Sequence, residues 1–149
     1  MKKKIIQFFQ FVVGLPYVND DSRCDRSPNG TKRWYLNNKL HREDGPAVEY
    51  EDGSKFWCLN GERHRTDGPA IEYPTGSKHW YLNGKLHRTD GPAIERADGS
   101  KHWYLNDKLH RTDGPAIEYA DGEKLWYLNG EEMTEENYKL YMWVKENDR

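Results

Sequence analysis

Apolar residues and net charge are both scarce in this chain of 149 residues. Hydrophobic residues make up 35%, and the mean hydropathy is -1.14. The longest apolar stretch, residues 5–15, contains two glutamines and is too short to span a membrane. Lys and Arg number 23 against 25 Asp and Glu, a formal net charge of -2. This balance argues against a dedicated nucleic-acid binder and equally against an acidic nucleic-acid mimic.

Cysteine is nearly absent too, since Cys24 and Cys58 are the only two thiols. Two cysteines do not make a disulfide framework, so a reduced, cytoplasmic setting is the default expectation, although one bridge stays open. The lysines of residues 2–4 imitate the start of a secretory signal, but the stretch after them is interrupted by polar residues and has a poor cleavage site. We expect an N-terminal strand or helix there, and leave a signal or a membrane contact open.

Aromatic residues are abundant instead. Six Trp, ten Tyr and four Phe make up 13% of the chain. Low hydropathy alone would suggest disorder, but disordered chains are poor in aromatic residues. The composition therefore indicates a folded protein with a small core of large rings.

An internal repeat organises the chain. Trp34, Trp57, Trp80, Trp103 and Trp126 follow one another at intervals of 23 residues, and LHRTDGPAIE occurs identically at 86–95 and 109–118. Four full repeats end at residue 125, and a fifth breaks off after WYLNG. A fixed period of this length is the signature of a repeat array.

Each repeat has three turn signals: Asn-Gly or a related pair, Thr-Asp-Gly or Glu-Asp-Gly before Pro, and a third triplet that is Ala-Asp-Gly in two repeats and Glu-Asp-Gly or Pro-Thr-Gly in the others. The short aromatic segments between them predict two main strands, such as residues 69–73 and 77–82, and leave room for a third short strand. By alternation, Trp80 and Leu82 share one face of their strand, and Ile71 and Tyr73 share one face of theirs. Joining these apolar pairs predicts a Trp/Leu/Ile/Tyr core face, with Tyr, His, Ala and Glu opposite.

The predicted fold class is an all-β repeat array, an antiparallel β-hairpin meander with a C-terminal α-helical cap. Residues 1–30 are expected to form an N-terminal cap segment, a strand or helix plus a loop. Residues 31–130 hold four full repeats and one partial repeat. Residues 131–149 are expected to form the capping helix, because Thr134 is a good N-cap followed by two glutamates and an apolar run.

The order Trp80, Asn83-Gly84-Lys85, His87, Gly91 and Asp98-Gly99, with Tyr73 in the preceding strand, resembles the MORN repeat. The His-Arg-x-Asp-Gly-Pro-Ala segment departs from the ordinary pattern and is similar to MORN-like proteins encoded by bacteriophages and large DNA viruses. The resemblance covers about residues 31–149. It implies a β-hairpin array and, loosely, a protein-binding or scaffold module that is sometimes lipid-associated.

No enzymatic or cofactor site is expected. His87, Thr89 and Asp90 could form a catalytic group, but the group recurs in every repeat, as a turn would and a single active site would not. Histidines that repeat every 23 residues would form columns in which neighbours lie about 9.6 Å apart, too far to share one metal ion. Nucleic acid is not expected, because Glu49, Glu72, Glu95 and Glu118 are predicted on the same face as the tyrosines.

Positions that vary between repeats, with their neighbours on the same face, are the candidate partner-binding site, because a Phe/His/Tyr/Leu stripe on an open sheet face resembles the centre of a protein interface. The alternative is that this stripe is the packed side of the sheet, covered by the terminal segments. These residues are Tyr35, Phe56, His79, Tyr81, Arg96, His102, Tyr104, Leu125 and Tyr127. The favoured hypothesis is a non-enzymatic protein-binding module, such as a phage-encoded inhibitor that blocks a host or defence protein in the host cytoplasm. The alternatives are a membrane- or lipid-associated scaffold using residues 1–13, and a cryptic hydrolase. A homodimer through an exposed edge strand also stays open.

Overall fold

The protein is described by a computed structural model covering residues 22–148, in which eighteen short strands precede one helix. The expected all-β repeat array with a C-terminal helix is confirmed. Most of the expected N-terminal cap segment, including the apolar residues 5–13, lies outside the described residues. Its described part contributes the first strand of the sheet.

The elements are short and recur with the sequence period. In chain order the strands are β1 Arg23–Arg26, β2 Lys32–Leu36, β3 Lys39–Leu40, β4 Val48–Glu49, β5 Lys55–Phe56, β6 Cys58–Leu59, β7 Glu62–Arg63, β8 Ile71–Glu72, β9 Lys78–His79, β10 Tyr81–Leu82, β11 Lys85–Leu86, β12 Ile94–Glu95, β13 Lys101–His102, β14 Tyr104–Leu105, β15 Lys108–Leu109, β16 Ile117–Glu118, β17 Lys124–Leu128 and β18 Glu131–Met133. The helix, α1, is Glu135–Asn147.

One antiparallel sheet runs the length of the described array. Its strand order is β1-β2-β4-β5-β8-β9-β12-β13-β16-β17-β18, with β3 paired to β2 beside this path. Three separate hairpins, β6–β7, β10–β11 and β14–β15, lie outside that sheet. Each inner repeat therefore gives two strands to the long sheet and one hairpin to a second row.

The predicted strand at residues 77–82 is divided in two. Its halves, β9 and β10, belong to different sheets, and the break falls at Trp80. The N–H of Trp80 donates to the carbonyl of Ala93 at 2.8 Å, and its own carbonyl accepts from the N–H of His87. Asn83 and Gly84 then close β10 onto β11 with φ of 51° and 77°, the positive pair of a type I′ turn. The predicted turn and the third short strand are both present.

The predicted core face is wrong. In the observed register Ile71 lies opposite His79, and Ile94 lies opposite His102. Directly opposed residues share a face, so isoleucine lies with histidine and not with tryptophan. Alternation within each strand could not reveal this, because it leaves the pairing between strands open. Eight of the eleven buried apolar residues within residues 22–148 form an Ala-Val/Ile ladder: Ala47, Val48, Ala70, Ile71, Ala93, Ile94, Ala116 and Ile117.

Tryptophan lies instead beneath an arginine. In the third repeat the guanidinium carbon of Arg88 is 4.0 Å from the centroid of the Trp80 ring. Arg88 Nε donates to Asp90 Oδ1 at 2.9 Å, and Arg88 Nη1 donates to Glu95 Oε1 at 2.9 Å and to the carbonyl of Pro92 at 3.2 Å. The same unit recurs with Arg42, Arg65 and Arg111, whose guanidinium carbons lie 4.2, 4.1 and 3.8 Å from their rings.

The glycine after each of these aspartates leaves room for the arginine. A Cβ on Gly91 would lie 3.0 Å from the guanidinium carbon of Arg88. Gly91 is not among the residues with positive φ, so its place in the Thr-Asp-Gly segment reflects close approach rather than a left-handed turn.

Consecutive hairpins are joined through their turns. The N–H of Gly84 donates to the carbonyl of Arg63 at 2.9 Å, and the N–H of Asn83 donates to Nδ1 of His64 at 3.2 Å. His41 and His110 accept in the same way from Asn60 and Asn129. These histidines therefore hold one repeat to the next.

Helix α1 closes the array as expected. Thr134 is its N-cap and accepts from the N–H of Asn137 at 3.2 Å. The hydroxyl of Tyr138 donates to the carbonyl of Arg111 and accepts from the N–H of Gly114, both at 3.2 Å. The helix is thus anchored to the loop of the last full repeat.

We expect Arg88→Lys to lower the free energy of unfolding by about 1–2 kcal/mol, because lysine cannot stack flat on Trp80 while making several fixed hydrogen bonds. Lys85→Arg, on the exposed hairpin of the same repeat, should change it by less than about 0.5 kcal/mol. Urea unfolding followed by tryptophan fluorescence measures both. Equal effects of the two variants would contradict the role given to the stacked arginine.

Candidate functional site

Aromatic rings form a continuous row on the isoleucine side of the sheet. The ring centroids of Tyr50 and Phe56 are 5.0 Å apart, those of Phe56 and Tyr73 are 6.0 Å apart, and those of Tyr73 and His79 are 5.5 Å apart. All three contacts are edge-to-face, the arrangement that aromatic pairs favour. The row follows from the strand order. Phe56, which precedes a Trp, lies on a strand flanked by two others, and Tyr50 and Tyr73 follow the Val-Glu and Ile-Glu pairs of those two strands.

Arg63 joins this row to the hairpins. It lies opposite Cys58 in the β6–β7 hairpin, where the neighbouring hairpins pair Tyr with Leu. Its guanidinium carbon is 5.7 Å from the ring centroid of Phe56 and 5.3 Å from that of Tyr81. Arg63 is absent from the predicted site, although its replacement of leucine in the repeat is visible in the sequence.

Arg96 interrupts the row at the position that Tyr50, Tyr73 and Tyr119 hold in the other repeats. It follows β12, which pairs with β9 on one side and β13 on the other, so it stands between His79 and His102. Its side chain is exposed. A basic residue that follows an Ile-Glu pair, Arg96, therefore lies beside two residues that precede tryptophan, His79 and His102.

His102 lies on the far side of Arg96. Its ring centroid is 5.8 Å from that of Tyr119, and the residue is only 6% exposed. Within residues 22–148 its Nε2 has no hydrogen-bond partner. Burial and the charge of Arg96 lower the pKa of His102; burial and the charges of Arg96 and Arg63 lower the pKa of His79. Both rings are consequently held neutral beside an unpaired cation.

We call this surface the aromatic-arginine face. Its residues are Arg33, Tyr50, Phe56, Arg63, Tyr73, His79, Tyr81, Arg96, His102, Tyr104 and Tyr119. Arg33 belongs to it because its guanidinium carbon lies 5.9 Å from the Tyr50 ring. Tyr104 belongs to it because Arg96 and Tyr119 act on its phenol, whose pKa is raised chiefly by burial.

Six of the predicted site residues meet on this face, namely Phe56, His79, Tyr81, Arg96, His102 and Tyr104. Tyr35 lies near one end under the guanidinium of Arg23, at 4.5 Å. Leu125 pairs with Ile117 near the other end, and the hydroxyl of Tyr127 donates to Glu132 at 2.7 Å. Sequence reasoning missed Tyr50, Tyr73 and Tyr119 because it placed them on the opposite face.

The expected position of the glutamates is also wrong. Glu72 and Glu95 accept from Arg65 and Arg88, the arginines that stack on tryptophan. Glu49 and Glu118 are bound in the same way by Arg42 and Arg111. The glutamates lie on the tryptophan side, so the reason for excluding nucleic acid from the tyrosine side does not hold.

The catalytic interpretation of the His-Arg-Thr-Asp segment gains no geometric support. Asp90 accepts from Arg88, and this hydrogen bond and the arginine charge lower its pKa. His87 Nδ1 lies 3.0 Å from Oδ1 of Asn106 in the next repeat. The arginine therefore holds the carboxylate that a catalytic histidine would need.

No three His, Cys, Asp or Glu side chains within residues 22–148 are grouped as a metal site. Cys24 is exposed and Cys58 is buried, and both are free thiols. No described helix is long and apolar enough to cross a membrane. No protein-family model matches the chain, and no curated protein matches it closely enough to indicate a relative.

We expect acid to destabilise the protein partly through His79 and His102. Above pH about 6.5 both histidines are neutral in the folded and unfolded chain. Below pH about 6.5 the unfolded chain binds protons more readily than the folded chain, because the pKa values of both histidines are lowered in the folded state. The free energy of unfolding therefore decreases as the pH is lowered. His79→Phe/His102→Phe, which copies Phe56 at the equivalent position, should reduce this loss.

Urea unfolding midpoints measured from pH 7 down to pH 5 give the comparison. The double variant should show a shallower decline than the wild type. A parallel decline in both proteins would contradict the assignment of this acid sensitivity to the two histidines.

Proposed function

We propose that this protein is a non-enzymatic binding module whose aromatic-arginine face docks on an acidic surface of another protein. The narrower form of the proposal is an inhibitor that blocks a host or defence protein, which the resemblance to phage-encoded repeat proteins suggests. The alternative, a lipid-associated scaffold, would place the contact in residues 1–13, outside the described residues.

The observation that carries the proposal is the contrast between two sets of arginines. Arg42, Arg65, Arg88 and Arg111 are each paired with an aspartate and a glutamate. Arg63 and Arg96 have no ion pair within residues 22–148, and each replaces an uncharged residue of the repeat. Both charges reach His79, which places them around one centre. Asp98 acts on Arg96 and His102 from nearby without forming an ion pair with either. An acidic partner would supply carboxylates in direct contact with the two arginines.

The rings around that centre suit a protein partner. Phe56, Tyr73 and Tyr81 are half-buried, so they are held by their neighbours and still offer surface. Interface centres are enriched in aromatic residues and arginine, because such side chains bury a large area at low cost in conformational freedom. The repeat-to-repeat variation at these positions makes the face chemically uneven, which favours one partner over a uniform ligand.

Single-stranded nucleic acid is a second candidate for the same face. The glutamates expected there are bound to arginines on the tryptophan side, and tyrosines beside unpaired arginines can stack bases. We favour protein because the chain as a whole carries a net charge of -2. Binding of a labelled oligothymidine, lost in the same variant as described below, would decide for nucleic acid.

The double variant Arg63→Leu/Arg96→Tyr tests the proposal with little risk to the fold, because it restores residues found at equivalent positions. Leu86 lies where Arg63 does in its hairpin, and Tyr73 lies where Arg96 does. We expect this variant to bind the captured acidic partner at least about tenfold more weakly, a loss of about 1.4 kcal/mol or more. Partners would be captured from bacterial lysate and the affinities measured with purified proteins.

Lys78→Ala/Lys101→Ala is the matched control, since it also removes two positive charges. Both lysines are exposed and lie opposite glutamates on the tryptophan side. The control should bind like the wild type. If both double variants bound the partner equally weakly, the loss of affinity would follow from net charge alone and the proposal would be overturned. Unchanged binding by Arg63→Leu/Arg96→Tyr would overturn it too.

A further inference from the structure

Helix α1 exposes an apolar surface that the aromatic-arginine face does not involve. Leu140, Tyr141, Trp143 and Val144 are 60%, 48%, 62% and 42% exposed. Among the described residues the one other exposed large hydrophobic side chain is Tyr50. A concentration of this kind on one short helix indicates a contact site, whereas scattered exposed side chains need no explanation.

The orientation of the helix is fixed from its other side. Tyr138 is buried, and its hydroxyl makes two hydrogen bonds to the Arg111–Gly114 loop. Met142, one turn further along that side, is half-buried. Leu140 and Val144 are likewise one turn apart, on the outward side. The anchored residues therefore turn Leu140 and Val144, the outward apolar row, away from the array, while Trp143 borders the groove between α1 and the 112–115 loop.

The chain itself contains a segment of matching chemistry. Residues 5–13 carry seven large apolar side chains, and residues 2–4 are lysines. Residues 135–148, which include α1, have four carboxylates against two lysines, so the helix surface is acidic around its apolar row. Apolar and electrostatic complementarity thus point to the same occupant.

The distance from the start of the sheet to α1 favours a segment from a second copy over the segment of the same chain. The described chain begins at Ser22, beside β1, while α1 packs against β17 and β18 at the far edge of the sheet. Ten strand spacings separate β1 from β18, about 48 Å along the sheet. The chain from residue 13 to residue 22 spans at most about 30 Å when fully extended. Residue 13 therefore cannot reach α1 of its own chain, and only a fully extended chain would bring roughly residues 5–8 to it. The apolar stretch 5–13 as a whole is thus better placed to cover the helix of a second copy.

We propose that residues 1–13 of one copy cover the outward row of α1 on a second copy. Each contact joins two different surfaces, and two antiparallel arrays related by a two-fold axis make it twice and close a dimer, as in a domain-swapped exchange. It uses the end of the array and leaves the aromatic-arginine face free. It is thus independent of the proposed partner binding.

A mixing experiment tests this contact. One variant lacks residues 1–13; the other is Leu140→Lys/Val144→Lys, which keeps good helix formers at exposed positions and repels the lysines of residues 2–4. Each should sediment as a monomer of the folded chain, while the wild type should sediment at twice the monomer mass or more. Mixed together, the two variants should form a 1:1 complex, because one supplies the segment and the other the helix.

Two controls accompany the mixing experiment. Arg63→Leu/Arg96→Tyr should associate like the wild type, and circular dichroism should show the same fold for all variants. A monomeric wild type, self-association of Leu140→Lys/Val144→Lys alone, or no complex in the mixture would each overturn the proposal. Flotation of the wild type, but not of the deletion variant, with phosphatidylglycerol vesicles and no self-association would assign residues 1–13 to a membrane instead.

Discussion

The arginine stacked on tryptophan is the contact on which the array depends. Arg88 covers Trp80 and binds Asp90, Glu95 and a backbone carbonyl, and it thereby joins the hairpin, the loop and the sheet strand that follow one another in a repeat. A chain with few aliphatic residues cannot build a thick core. It uses flat rings covered by flat cations, together with a thin ladder of Ala and Val or Ile.

This arrangement divides the molecule into two sides that differ in how well they tolerate amino-acid substitution. On the tryptophan side each stacked arginine is bound to an aspartate and a glutamate of its own repeat, so a change there disturbs the unit that holds the repeat together. On the other side the residue before tryptophan and the residue after Ile-Glu touch mainly each other. Phe56, His79, His102 and Leu125 can therefore replace one another without altering the fold, and the array carries a variable surface on a constant frame.

The repeat period, the type I′ turns, the third short strand and the capping helix could all be predicted, because each depends on local sequence. The core face could not, because the opposition of Ile71 and His79 is a property of register between strands. The role of Gly91 was equally hidden, since only the folded position of Arg88 explains why a Cβ is excluded. Six of the eleven residues of the aromatic-arginine face were predicted, four of them from departures within the repeat, yet Tyr73 was missed through the same error of register.

Site-specific photo-crosslinking tests the division into two sides most directly. A photoreactive phenylalanine would replace Tyr81 on the aromatic-arginine face in one protein, and Thr89, exposed beside Arg88 on the tryptophan side, in another. We expect the partner to be crosslinked from position 81 and not from position 89. Crosslinking from position 89 alone, or equally from both, would contradict it.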